Sequence, residues 1–319
     1  MIDAPGAVPR IAASPMGEPG PGQVRVKIYA AALNFADLLM VEGLYQDTPA
    51  FPFVPGMEGA GIVTASGEGC GLATGTRVAV AAMGCLAEEA LFDEAACQPI
   101  PEMMSYEQAA GFQVAYGSSH LALSLRGALQ PGETLAVLGA AGGVGLTAVE
   151  IGAAMGARVI AVARGADKLA VAGRAGASVL IDSETTPDLK AALREAGPVD
   201  VVYDPVGDAP GLAAFGALRK GGRFLVIGFA GGKPPALPLN HALVKNIAIH
   251  GFYWGGYRSL DRAPLRASMD ALFTMFEAGK LHPHLGRIMA LDDLARAYDA
   301  LRRREVTGKL VILPHGPDA

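Results

Sequence analysis

The chain's 319 residues leave room for two domains, and with 51% of them apolar it can bury sizeable cores. A net charge of −5, with no basic stripe beyond Arg302-Arg303-Arg304 at what reads as a helix end, argues against a nucleic-acid partner. The uncharged run Thr134 to Val149 is shorter than the ~18 apolar residues of a membrane span and is broken by glycines, Met1 to Gly6 lacks the order of a secretory leader, and Cys70, Cys85 and Cys97 form no C-x-x-C, so free thiols in the cytoplasm are expected.

Taken in order, Pro19-Gly20-Pro21-Gly22 leads into Gln23 to Ala30, whose alternation suits a half-buried strand. A short helix is expected over Phe35 to Val41. Turn residues from Pro52 to Gly61 feed a strand ending near Val63, and Gly75 to Ala81 supplies another. Short strands between glycine turns make a mostly antiparallel β domain. Ser105-Tyr106-Glu107-Gln108 is a capping box and starts a helix.

The composition then changes. Strands at Leu135–Leu138, Val159–Val162, Ser178–Asp182, Asp200–Asp204, Arg223–Gly228 and Asn246–His250 alternate with helices, which predicts a Rossmann-type, doubly wound parallel α/β sheet. Thr186 is the expected N-cap of one of these helices, with Pro187 at its first position and Gly197-Pro198 as its stop. Two amphipathic helices, Pro264 to Ala278 and Asp292 to Arg303, and a strand Lys309 to Leu313 close the chain.

The chain is organised around the stretch from Glu133 to Leu146. An apolar strand stops at clustered glycines and a helix begins, the pattern of a turn that binds pyrophosphate with backbone N–H groups and a helix dipole. Gly142, Gly143 and Gly145 are taken as the working glycines, with Val144 between them, and counting back places Ala140 where the first glycine of G-x-G-x-x-G belongs. A triphosphatase loop is excluded because Leu146 and Thr147 follow Gly145 instead of Lys and Ser/Thr. The competing reading is a glycine-rich turn with no ligand. At the end of the next strand an NAD enzyme carries Asp or Glu; here stand Ala163 and Arg164, with Lys168 four residues on. Arg164 can pair with a 2′-phosphate, and Lys168 either adds charge or is a solvated helix residue, so NADPH is the predicted cofactor.

Asn34-Phe35-Ala36-Asp37, Gly43-Leu44-Tyr45, Pro55-Gly56-Met57-Glu58, the glycine turn and Gly251-Phe252-Tyr253-Trp254-Gly255 together resemble the zinc-independent medium-chain dehydrogenase/reductases, in the quinone oxidoreductase branch related to zeta-crystallin. The resemblance covers nearly the whole chain, apart from a short opening strand that such proteins have. It implies a GroES-like catalytic domain over residues 1–108, rejoined by 253–319, a dinucleotide domain over 109–252, and a cleft between them. Where zinc relatives carry Cys and Gly-His-Glu, this chain has Asn34 and Gly56-Met57-Glu58, and Gly111 to Gly117 holds no cysteine; no metal is expected. His282 and His284 read as surface residues.

The resemblance implies catalytic positions at Asn34, Asp37 and Tyr45. It implies cofactor contacts at Asn34, Ala140, Gly142, Gly143, Val144, Arg164, Lys168, Gly228, Phe229, Phe252 and Trp254. Asn34 equally suits capping the helix after it, and Tyr45 equally suits packing. Without a Lewis acid, acceptors must delocalise the charge that hydride brings, so quinones or α,β-unsaturated carbonyls are expected. Enoyl thioester reduction, or a non-catalytic NADPH-binding crystallin-like role, are the alternatives. A homodimer paired through Asn246 to His250 is implied as well.

Overall fold

The computed structural model describes residues 1–316. Contacts divide the chain into two compact units, Met1–Val114 with Pro283–Ala319, and Ala115–His282. In the first, Ile2 makes a bridge with Phe53, and β1 (Gln23–Leu33) alternates half-buried and buried residues up to Ala30 before running fully buried. Then come α1 (Phe35–Val41), β2 (Glu58–Ser66), β3 (Arg77–Val80), β4 (Glu89–Asp93), β5 (Cys97–Pro99) and α2 (Tyr106–Ala110). At α2 the expected capping box is present: Gln108 N–H donates to Ser105 Oγ at 3.2 Å, and Ser105 N–H to Gln108 Oε1 at 3.1 Å.

The second unit begins within α3 (Gln113–Leu121), which widens into a π-helical turn over Ala122–Arg126. Strand and helix then alternate through β6 (Thr134–Leu138), α4 (Gly143–Ala154), β7 (Arg158–Ala163), α5 (Ala166–Arg174), β8 (Val179–Asp182), α6 (Leu189–Glu195) and β9 (Val199–Asp204). They continue through α7 (Asp208–Ala217), β10 (Leu218–Val226), α8 (Leu239–Lys245) and β11 (Ala248–Gly251), after which α9 (Tyr257–Leu260) and α10 (Ala263–Glu277) complete the unit. The sheet runs β11-β10-β9-β6-β7-β8 and every pair in it is parallel. Its order reverses between β6 and β9, where such sheets bind ligands at their carboxyl ends.

The chain returns to the first unit with β12 (Leu285–Ala290), α11 (Leu294–Arg302) and β13 (Lys309–Leu313). The resulting sheet is ordered β12-β13-β1-β2-β3-β5, with β4 also on β1, and all its pairs are antiparallel except β12 with β13. Leu33 faces Leu310, and Ala32 faces Glu58. Because β1 is antiparallel to both neighbours, its carboxyl end lies beside the amino ends of β2 and β13. Three polar residues far apart in sequence, Asn34, Glu58 and Lys309, meet there.

Two expectations are corrected. The N-cap of α6 is Asp188, whose Oδ1 accepts the Ala191 N–H at 2.9 Å, and not Thr186. The residue that turns the chain after β6 is Gly139, with φ of +58°, and not Ala140. Strands β4, β5 and β12 and helix α8 were not anticipated.

Candidate active site

In the second unit, β6 is buried along its length and ends at Gly139, in the left-handed region where a side chain costs about 1–2 kcal/mol. Ala140 N–H donates to Val162 O at 3.0 Å, tying the turn to β7, and Gly142 N–H donates to Gly139 O at 2.9 Å. Gly142 is the N-cap of α4 and no side chain caps the helix. The first intrahelical bond runs from Leu146 N–H to Gly142 O, so the N–H groups of Gly143, Val144 and Gly145 precede it and suit an anion. A Cβ on Gly145 would lie 2.1 Å from Gly139 O, so only glycine lets the helix sit on the turn.

Behind the turn lies a group of buried hydroxyls. Ser119 Oγ donates to Val144 O at 2.9 Å and lies 2.8 Å from Thr147 Oγ1 and 3.0 Å from Tyr203 Oη. Helices α3 and α4 and strand β9 are thereby linked without a charge. Asp204, at the end of β9, accepts the N–H groups of Val206 and Gly207 at 2.9 and 2.8 Å, while burial pushes its carboxyl up. Val206 Cγ2 then packs on the open side of Gly139.

The other expected cofactor residues of this unit follow the same strand ends. Arg164 is exposed between β7 and α5, and Lys168 is half-buried on α5. Next to Arg164, Gly165 N–H donates to Asp182 Oδ1 at 3.0 Å; this bond and the Glu184 N–H hold the Asp182 carboxyl below the usual range. Gly228 follows β10, and Phe229 beside it is exposed. Phe252 is buried, its ring 5.8 Å from that of Tyr257, and Trp254 lies so close to Gly117 that a Cβ there would be 2.6 Å from its Nε1.

The first unit holds an ionic cluster. Lys309 Nζ donates to Leu33 O at 3.0 Å, Asn34 Oδ1 at 2.7 Å and Glu58 Oε1 at 2.8 Å, and the Lys309 and Glu58 side chains are only 6% and 1% exposed. Asn34 Nδ2 donates to Glu58 Oε1 at 2.9 Å, and Val114 N–H to Glu58 Oε2 at 2.9 Å. Asn34 is the N-cap of α1 and Asp37 reaches back to accept its backbone N–H at 2.7 Å. Burial pushes the Asp37 carboxyl up to about 7, against the pull of the Asn34 N–H and the Lys309 ammonium. Tyr45 is half-buried and packs on the apolar core of this unit.

Asn34 and Asp37 were expected at the site; Glu58 and Lys309, which hydrogen-bond the Asn34 side chain, were not. The signal for Lys309 was a charged residue opening an otherwise apolar strand, and for Glu58 a carboxylate opening one rich in Gly, Ala and Val.

Residues 20–120 match the alcohol dehydrogenase GroES-like domain family, and residues 143–272 the zinc-binding dehydrogenase family. Over 298 residues the chain is 36% identical to the quinone oxidoreductase-like protein 2 of Mus musculus, with 92% of this chain and 85% of the relative covered. The chain belongs to the zinc-independent quinone oxidoreductase branch of the medium-chain dehydrogenase/reductases. Among solved structures this oxidoreductase is similar to the Escherichia coli quinone oxidoreductase complexed with NADPH, with a TM-score of 0.89, 27% identity and 98% of each chain covered. It is similar also to the quinone oxidoreductase of Thermus thermophilus, with a TM-score of 0.87, 30% identity and 98% of each chain covered. The expected α/β fold, a Rossmann sheet with a GroES-like domain, is borne out.

One matched family is described as zinc-binding, and the side chains at this cluster do not suit zinc. Asn34 and Met57 stand where zinc relatives present Cys and His. Asn34 Oδ1 and Glu58 Oε1 already accept from an ammonium whose charge would repel a metal ion.

Proposed function

We propose that the protein is an NADPH-dependent reductase of quinones or α,β-unsaturated carbonyls that works without zinc. The observation that carries the reading is the Lys309–Glu58–Asn34 cluster: it supplies a hydrogen-bond donor and no Lewis acid, which restricts acceptors to those that delocalise charge themselves. When bound, NADPH supplies a hydride from nicotinamide C4.

The chain's residues do the rest. The N–H groups of Gly143, Val144 and Gly145 in the first turn of α4 bind the pyrophosphate, and the turn at Ala140 to Gly142, whose Ala140 and Gly142 N–H groups are engaged by Val162 O and Gly139 O, lets it approach the backbone closely. A carboxylate after β7 would repel a 2′-phosphate; Arg164 pairs with it bidentately, and Lys168 adds a point charge. Gly228, Phe229, Phe252 and Trp254 shape the nicotinamide pocket. Asn34 donates an N–H to the acceptor oxygen where negative charge develops, and the proton comes from water or Tyr45. Asp37 acts from behind, fixing the backbone of Asn34. The reading further has two copies of the chain paired along the edge strand β11, where Ile249 is exposed, and a cytoplasmic setting.

The test is NADPH consumption against a panel of quinones, enones and enoyl thioesters. Turnover of a quinone or enone is expected, and Arg164→Ala should lower the preference for NADPH over NADH by about tenfold. Intact NADPH binding with no turnover of any conjugated acceptor overturns the reading and favours a non-catalytic binding protein.

A further inference from the structure

Lys309 does more than balance the charge of Glu58. Its stem passes Gly111, where a Cβ would lie 3.0 Å from Lys309 Cγ and 3.3 Å from Cε, so the approach of the lysine depends on a missing side chain. An ammonium has three N–H donors, and each meets one acceptor here: Leu33 O, Asn34 Oδ1 and Glu58 Oε1. Glu58 is fixed as fully, with Oε1 shared between Lys309 and Asn34 Nδ2, and Oε2 on the Val114 N–H.

The two ends of a primary amide are alike in shape and differ only in what they donate or accept, and here that difference admits one orientation. Reversed, Asn34 would set its NH₂ group against the ammonium and its carbonyl against the carboxylate, replacing two attractive contacts with two repulsive ones in a buried place. The ion pair therefore makes the orientation of Asn34 single-valued. Of the two N–H groups on Nδ2, one is used by Glu58 and the other is left for a ligand.

We infer that Lys309 is a positioning residue that works through Asn34: with Glu58 it locks the amide so that a donor N–H, and not the amide oxygen, meets the acceptor carbonyl. The inference rests on the proposed reading of Asn34 as the group that touches the acceptor.

The experiment combines Lys309→Met with Asn34→Ala in a kinetic cycle on a quinone. Lys309→Met is expected to lower kcat roughly tenfold or more while KM for NADPH stays put, and to change nothing further once Asn34 is Ala. Because Lys309→Met leaves the Glu58 carboxylate without its ammonium, the double variant Lys309→Met/Glu58→Gln, which removes both charges, is measured beside it. It should fold, bind NADPH and show the same kcat loss. Independent, multiplying losses for Lys309 and Asn34, or a wild-type kcat in the charge-free variant, overturn the inference. If the wild-type protein turns over no conjugated acceptor, the proposed function has failed and this inference is read from the side-chain amide resonances of Asn34 in ¹⁵N-labelled protein. A shift of those resonances in the charge-free variant, with the surrounding backbone spectrum retained, supports the locked amide; unmoved resonances refute it.

Discussion

The two polar clusters of this protein are built in opposite ways. In the second unit the turn after β6 is made of backbone: Gly139 and Gly145 contribute by lacking a Cβ, and the side chains behind them are neutral hydroxyls. In the first unit the cluster is made of side chains, two of them charged, brought from three strand ends. A site made of backbone is sensitive to any atom added. A site made of buried ions is sensitive to any atom removed, because each group left behind has lost both water and partner.

The largest effect should therefore come from breaking the ion pair. Glu58→Ala strands the Lys309 ammonium with only two uncharged oxygens, Leu33 O and Asn34 Oδ1, and should cost about 3–5 kcal/mol of stability in urea unfolding. A cost below ~1 kcal/mol would show that water reaches the ammonium, and the contrast between the clusters would collapse.

Adding one methyl group to the other cluster tests the converse. In Gly145→Ala the new Cβ starts 2.1 Å from Gly139 O, a backbone atom that cannot swing aside, so α4 must lift off the turn. The expected cost is about 1–3 kcal/mol, with a weaker affinity for NADPH read by nucleotide fluorescence. Wild-type melting together with wild-type affinity would mean that the helix does not rest on the turn.

The same contrast explains what could be read from the sequence. The strand, turn and helix from Thr134 to Ala154 were legible because every requirement is local: an apolar run, then glycines, then an apolar helix. Ser105 and Gln108 were legible for the same reason. Local patterns still slip by a residue or two. Counting the glycine motif pointed to Ala140, but the left-handed position falls on Gly139, directly after the strand. Thr186 and Asp188 both suit an N-cap, and the choice went to the residue that bonds Ala191. The short strands β4, β5 and β12 alternate too weakly to stand out. Lys309 stood out only as a charge opening an apolar strand; its partner was beyond reach, since the meeting with Asn34 depends on β13 pairing with β1, a register that no local pattern encodes.

The smallest expected effect compares two deletions of one hydroxyl each within the neutral cluster. Tyr203 is fully buried and its hydroxyl has Ser119 as its hydrogen-bond partner, whereas Ser119 Oγ also has Thr147 Oγ1 and Val144 O. Removing the tyrosine hydroxyl in Tyr203→Phe leaves every remaining group partnered and should cost only about 0.5–1.5 kcal/mol. Removing the serine hydroxyl in Ser119→Ala strands the tyrosine hydroxyl in an apolar interior, a desolvation cost of about 1–3 kcal/mol, so this smaller change should destabilise more. Thermal unfolding of the two variants side by side decides the matter: the cluster is a directed network if Ser119→Ala melts lower, and an incidental grouping of hydroxyls if Tyr203→Phe does.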